Sequence, residues 1–115
     1  MTPTATELSH KHCVPCEGGV PPLKPQEVQA SLCAVPAWRL TANGRGLRRD
    51  WRMKDFATAL EFINRVGQLA EQEGHHPDLH LTGYRQVAIE VSTHAVGGLT
   101  ENDFILAAMI DTIGL

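Results

Sequence analysis

The sequence predicts an α+β fold, a four-stranded antiparallel sheet with its helices packed on one face, in the order α-β-β-α-β-β-α. Three observations lead there. Apolar residues recur at three- and four-residue steps from Phe56 to Ala70, the stripe of an amphipathic helix. Val87, Ile89, Val91 and Thr93 alternate with Gln86, Glu90 and Ser92 at a period of two, as in a strand with one apolar face. The turn-forming pairs Asn43-Gly44 and Thr82-Gly83 divide the strand-like runs into two hairpins.

Residues 1–24 are proline-rich, contain Gly18-Gly19 and carry no hydrophobic period, so they read as an irregular N-terminal arm ahead of a single domain over 25–115. Pro25 suits the first position of a helix, where its missing N–H costs nothing. That helix runs from Gln26 to about Ala34 with Val28, Leu32 and Val35 inward, and Pro36 ends it. Asn43-Gly44 then turns one short strand into another. On the second strand Leu47, Trp51 and Met53 share a face, interrupted by Arg49, with Arg48, Asp50 and Arg52 opposite. The longest helix spans Asp55 to Glu73, with Gly74 placed as its left-handed terminator and Pro77 barring continuation. A short strand over Asp78–Leu81 turns through Thr82-Gly83 into the apolar strand. After the loop Ala95–Leu99, Thr100 and Asp103 form a capping box. The helix it opens, Phe104 to about Thr112, is apolar nearly all round, so it is expected to be buried on more than one side, against another subunit included.

Composition narrows the function. Ten Lys+Arg against thirteen Asp+Glu give a net charge of −3, which argues against a nucleic-acid binder. The longest uncharged apolar stretch, Phe104 to Ile110, falls far short of the roughly 20 residues that span a bilayer, so no membrane partner is expected. The N-terminus has no apolar signal segment, and three cysteines is an odd number, which reads as reduced thiols in the cytoplasm.

Four of the six histidines lie between residues 75 and 94: His75, His76, His80 and His94. Imidazole titrates near neutrality, so such a cluster suits proton transfer or metal binding. Glu71 is four residues before His75 and can face it across the last helical turn. His94 ends the apolar strand, and its parity sends it to the face opposite Val91 and Thr93. Pro77 sits between His76 and His80, which removes the helical spacing a His-x-x-x-His metal pair needs. Polar residues also gather at helix ends simply because water is there. In the arm, His10, His12, Cys13 and Cys16 have spacing that suits zinc, the alternative being thiols that merely pack or stay reduced.

Glu71-Gln72-Glu73-Gly74-His75-His76-Pro77-Asp78, then Tyr84-x-x-Val87, Ser92-Thr93-His94 and Gly98-Leu99-Thr100-x-x-Asp103-Phe104, resembles the pterin-4a-carbinolamine dehydratase family from about Pro22 to Ile113. The resemblance implies the same α+β fold, assembled as homodimers or homotetramers. It implies dehydration of a 4a-hydroxytetrahydropterin to the quinonoid dihydropterin, in pterin recycling, with no metal or organic cofactor. By matched position His75, His76 and His94 become the catalytic trio, with Glu71 orienting a histidine or the pterin. Asp103 matches a pocket residue of the family, although capping alone accounts for it. Two positions depart from the family pattern: Leu79, often aromatic beside the pocket, and Gly74, often polar. The Cys-x-x-Cys-Glu-Gly-Gly lead-in is similar to that of a bacterial and plastid subset. Two other readings stand beside catalysis: a chaperone-like assembly module on the same fold, and a small metal-binding protein organised by the arm.

Overall fold

The computed structural model describes residues 3–13 and 21–114, the side chain of His94 excepted. In chain order the elements are α1 (Ala5–Ser9), α2 (Pro25–Leu32), β1 (Arg39–Leu40), β2 (Gly46–Arg52), α3 (Phe56–Glu73), β3 (Asp78–Thr82), β4 (Gln86–Ser92), a 3₁₀ turn (His94–Val96) and α4 (Glu101–Asp111). The four strands form one antiparallel sheet in the order β1-β2-β4-β3, so the two long strands lie in the middle.

The period-two pattern sets the register. Leu47 pairs with Val91, Arg49 with Ile89 and Trp51 with Val87 on the helix-covered face, while Arg48 pairs with Glu90 on the other. Leu47, Val87, Ile89 and Val91 are all buried, against Phe62 and Val66 of α3 and Phe104, Leu106 and Ile110 of α4. Truncating Leu47, Ile89, Leu106 or Ile110 to alanine would cost about 2–5 kcal/mol. Gly44 takes a positive φ of 70° at the tip of the first hairpin. There the Asn43 Oδ1 accepts from the Arg45 N–H at 2.9 Å and from the Thr41 hydroxyl at 2.8 Å.

Two expectations change. The arm read as irregular contains α1, capped by Thr4, whose hydroxyl accepts the Glu7 N–H at 3.1 Å. A five-residue helix with one inward residue has no period to read. Its Leu8 is 1% exposed and packs with α1 on α4. Residues 14–20 of the arm, Cys16 among them, lie outside the described residues. The second change concerns α4. Every residue from Asn102 to Ile110 is buried within the one chain, because α3 and the sheet cover one side and α1 covers another. Its all-round apolarity is therefore met without a second subunit. Among the described residues no helix is long and apolar enough to cross a membrane.

Candidate active site

The site begins where α3 stops. Gly74 closes the helix in the left-handed region at φ 65°, and the His75 N–H reaches back to the Ala70 carbonyl at 3.2 Å. This reversal separates the two adjacent histidines. His75 turns inward and is 6% exposed, whereas the His76 side chain remains 64% exposed.

His75 Nε2 lies 2.7 Å from Asp103 Oδ1, and Asp103 is wholly buried. The other carboxylate oxygen of Asp103 accepts from the Thr93 hydroxyl at 2.8 Å and from the Thr100 N–H at 2.9 Å. Thr93 has one hydroxyl proton and gives it to Asp103, so in the 2.9 Å contact between the two threonine hydroxyls Thr100 is the donor. The carboxylate accepts, so the His75 Nε2 carries the proton of this contact. Thr93 is held by its own pairing with Gly98 across the 94–97 loop.

His76 Nε2 meets Glu71 Oε2 at 3.1 Å, in solvent. Glu71 was expected to face His75, but the left-handed Gly74 rotates the chain so that His76, five residues on, returns to it. The strand-parity expectation for His94 rests on a strand that stops short of it. β4 ends at Ser92, and His94 opens a 3₁₀ turn, where alternation no longer applies. The His94 side chain lies outside the described residues, although its backbone directly follows Thr93. His80 is exposed and 3.7 Å from Glu90. Asp103, read chiefly as a cap, is both a cap and the partner of His75. Thr93 and Thr100 complete the buried network and were not singled out for it.

An open cleft of about 310 Å³ borders this network through Thr93, lined also by Asp78, Glu90, Ser92, Gly97 and Gly98. Across the open sheet face, Arg48 bridges Glu90 at 2.7 Å and Asp50 at 3.1 Å, and Arg39 adds 2.7 Å to Asp50. The Arg39 hydrogen bond, joined by Arg48 and opposed by burial, holds the Asp50 carboxyl below the usual range.

The zinc-spaced set of the arm is not brought together among the described residues. His12 Nδ1 pairs with Glu73 Oε2 at 3.0 Å, and the Cys13 sulfur lies 3.6 Å from the Asn102 carbonyl. His10 is exposed, and no group of three or more His, Cys, Asp or Glu among the described residues is arranged to hold a metal ion.

Fold and site together define a small α+β protein with a buried imidazole–carboxylate contact at one end of its sheet. Residues 21–113 match the family described as Pterin 4 alpha carbinolamine dehydratase. The chain is 46% identical over 108 residues to a provisionally named pterin-4-alpha-carbinolamine dehydratase of Rubrobacter xylanophilus, covering 94% of this chain and 99% of that one. It is 49% identical over 110 residues to pterin-4-alpha-carbinolamine dehydratase 2, mitochondrial, of Arabidopsis thaliana, covering 93% of this chain and 59% of the plant protein. The crystal structure of a transcriptional coactivator/pterin dehydratase from Brucella melitensis superposes with a TM-score of 0.74 at 28% identity, over 79% of this chain and 96% of that one. The chain belongs to the pterin-4a-carbinolamine dehydratase family, whose name denotes a hydro-lyase.

Proposed function

We propose that the chain dehydrates a 4a-hydroxytetrahydropterin to the quinonoid dihydropterin by histidine general acid–base catalysis, as a step of pterin recycling. The C4a–O bond breaks, a proton is delivered to the departing hydroxyl to form water, and the N5 proton is removed as C4a=N5 forms. Groups that exchange protons near neutral pH serve both transfers. In this reading His76 and His94 are the proton-transfer pair and His75 is the third catalytic imidazole. Glu71 orients His76, and Asp103 fixes the tautomer of His75.

The observation that carries the reading is the pair of adjacent imidazole–carboxylate contacts, His75 with Asp103 in the interior and His76 with Glu71 in solvent. Two imidazoles in environments this different are suited to unlike roles in one reaction. Purified protein added to a freshly generated 4a-carbinolamine should speed the absorbance change of dehydration well above the uncatalysed rate. No acceleration would overturn the reading.

We infer a cytoplasmic enzyme that forms at least a dimer. The odd cysteine number supports the first. The open strand edges at β1 and β3, with Phe56, Leu60 and Leu79 exposed, support the second.

A further inference from the structure

We propose that Glu73 is a positioning residue for the His75–Asp103 pair, acting by clasping the N-terminal arm across the start of α4. The activity readout rests on the dehydratase reading above, whereas the structural readout does not.

Glu73 occupies the last position of α3, the negative end of the helix dipole, where a carboxylate is disfavoured. Its side chain is nonetheless only 7% exposed. The arm supplies the compensation: the Cys13 N–H donates to Oε1 at 2.7 Å, and His12 Nδ1 meets Oε2 at 3.0 Å. Neighbouring arm residues then hold α4. Lys11 Nζ lies 3.2 and 3.3 Å from the two Glu101 carboxylate oxygens, the Cys13 sulfur reaches the Asn102 carbonyl, and Leu8 is sealed against the helix. Next to this region, the Leu23 N–H donates to the Leu99 carbonyl at 2.8 Å.

These contacts share a location. Glu73 is two residues before His75, Glu101 and Asn102 immediately precede Asp103, and Leu99 immediately precedes Thr100. The arm therefore ties the end of α3 to the start of α4, the two segments whose separation sets the 2.7 Å contact between His75 and Asp103. An arm that only covered apolar surface would need Leu8 but no carboxylate turned against its helix dipole. A released arm would let the two segments drift, and misplacing catalytic groups by about 1 Å is kinetically expensive.

The test uses full-length Glu73→Ala and Glu73→Gln proteins. Glu73→Ala should speed amide exchange in Ala5–Ser9 by roughly tenfold, as expected when a docked segment frays. It should lower kcat by about tenfold with KM within about twofold, and shift or broaden the NMR signal of the His75 ring N–H. Glu73→Gln, which still accepts the Cys13 N–H, should recover most of kcat. A folded Glu73→Ala protein whose arm stays docked, or whose arm is freed with kcat and the His75 signal unmoved, overturns the proposal. Should that variant fail to fold, the exposed double variant Lys11→Ala/His12→Ala decides: a freed arm with an unmoved His75 signal overturns it, and a moved signal supports it. A wild-type protein without dehydratase activity would overturn the functional reading instead, and the His75 signal would still decide this one.

Discussion

His75 Nε2 and Asp103 Oδ1 meet at 2.7 Å across 28 residues of sequence, with the carboxylate wholly buried and the imidazole nearly so. The contact joins the end of one helix to the first turn of another. It also gives one carboxylate three donors, from His75, Thr93 and the Thr100 backbone. Fully satisfied buried networks of this kind rigidify a site, and partly satisfied ones are costly.

Asp103→Asn tests that arrangement. An amide has one oxygen where the carboxylate has two, so its NH₂ confronts the Thr93/Thr100 donors or else faces His75, whose ring must then change tautomer to accept it. Turnover should fall by roughly 10²-fold, the lower end of what a positioned acid–base group contributes. Stability should fall by about 1–3 kcal/mol from an unsatisfied buried donor. Steady-state dehydration and urea unfolding measure the two effects. An Asn variant with normal turnover and a lowered midpoint would reduce Asp103 to a helix cap.

Much of this geometry is readable from local chemistry. The stripe from Phe56 to Ala70, the left-handed Gly74, the Asn43-Gly44 turn and the alternation ending in Val91 each follow from patterns a few residues long. What the pattern misses is long-range or too short to have a period. The box Thr100-x-x-Asp103 announces a helix start, but nothing local tells that the same carboxylate reaches an imidazole at the end of α3. α1 shows a single apolar residue, Leu8, whose burial makes sense only once the surface of α4 exists. The partner of Glu71 depended on how far one left-handed residue rotates the chain, and spacing alone pointed to the wrong histidine.

The proton-transfer assignment predicts the behaviour of His76 and His94. His76→Ala and His94→Ala should each lower turnover by roughly 10²-fold or more. The double variant should be much less impaired than the product of the two, because groups that act in one step are not additive. His76 is exposed, so its truncation should change stability by no more than about 0.5 kcal/mol. Folded single variants with near-wild-type turnover would move the assembly-module reading to first place.

Assembly is a separate question once α4 is seen to be covered by its own chain. The exposed pair Phe56 and Leu60, one turn apart on α3, and the open β3 edge that carries Leu79 still favour self-association. Light scattering at micromolar concentration should give at least twice the 12.6 kDa chain mass. A monomeric mass would remove this part of the proposal and leave the acid–base chemistry untouched.

Burial pushes the Glu73 carboxyl up, but the His12 ring and the Cys13 N–H outweigh it and hold the group below the ordinary glutamate range. Arg65, which also lines the adjoining cleft, is committed to Glu61 at 2.9 Å and to the Gly114 carbonyl at 3.1 Å. A carboxyl with a depressed folded value stabilises the docked arm fully above its unfolded value, about 4.3, and that contribution is lost as pH falls through the depressed one. The arm should therefore stay docked from pH 7 to about 5 and loosen only below the ordinary glutamate value. Leu8 methyl shifts report this directly, because Leu8 is sealed against α4 when the arm is down. Glu73→Gln, which has no proton to gain, should flatten the acid limb of that titration. A wild-type protein whose Leu8 signals do not move between pH 5 and the onset of global unfolding would show that Glu73 does not govern docking. An acid limb equally steep in Glu73→Gln would assign the transition to another group, with the exposed Lys11–Glu101 pair the nearest one between arm and helix.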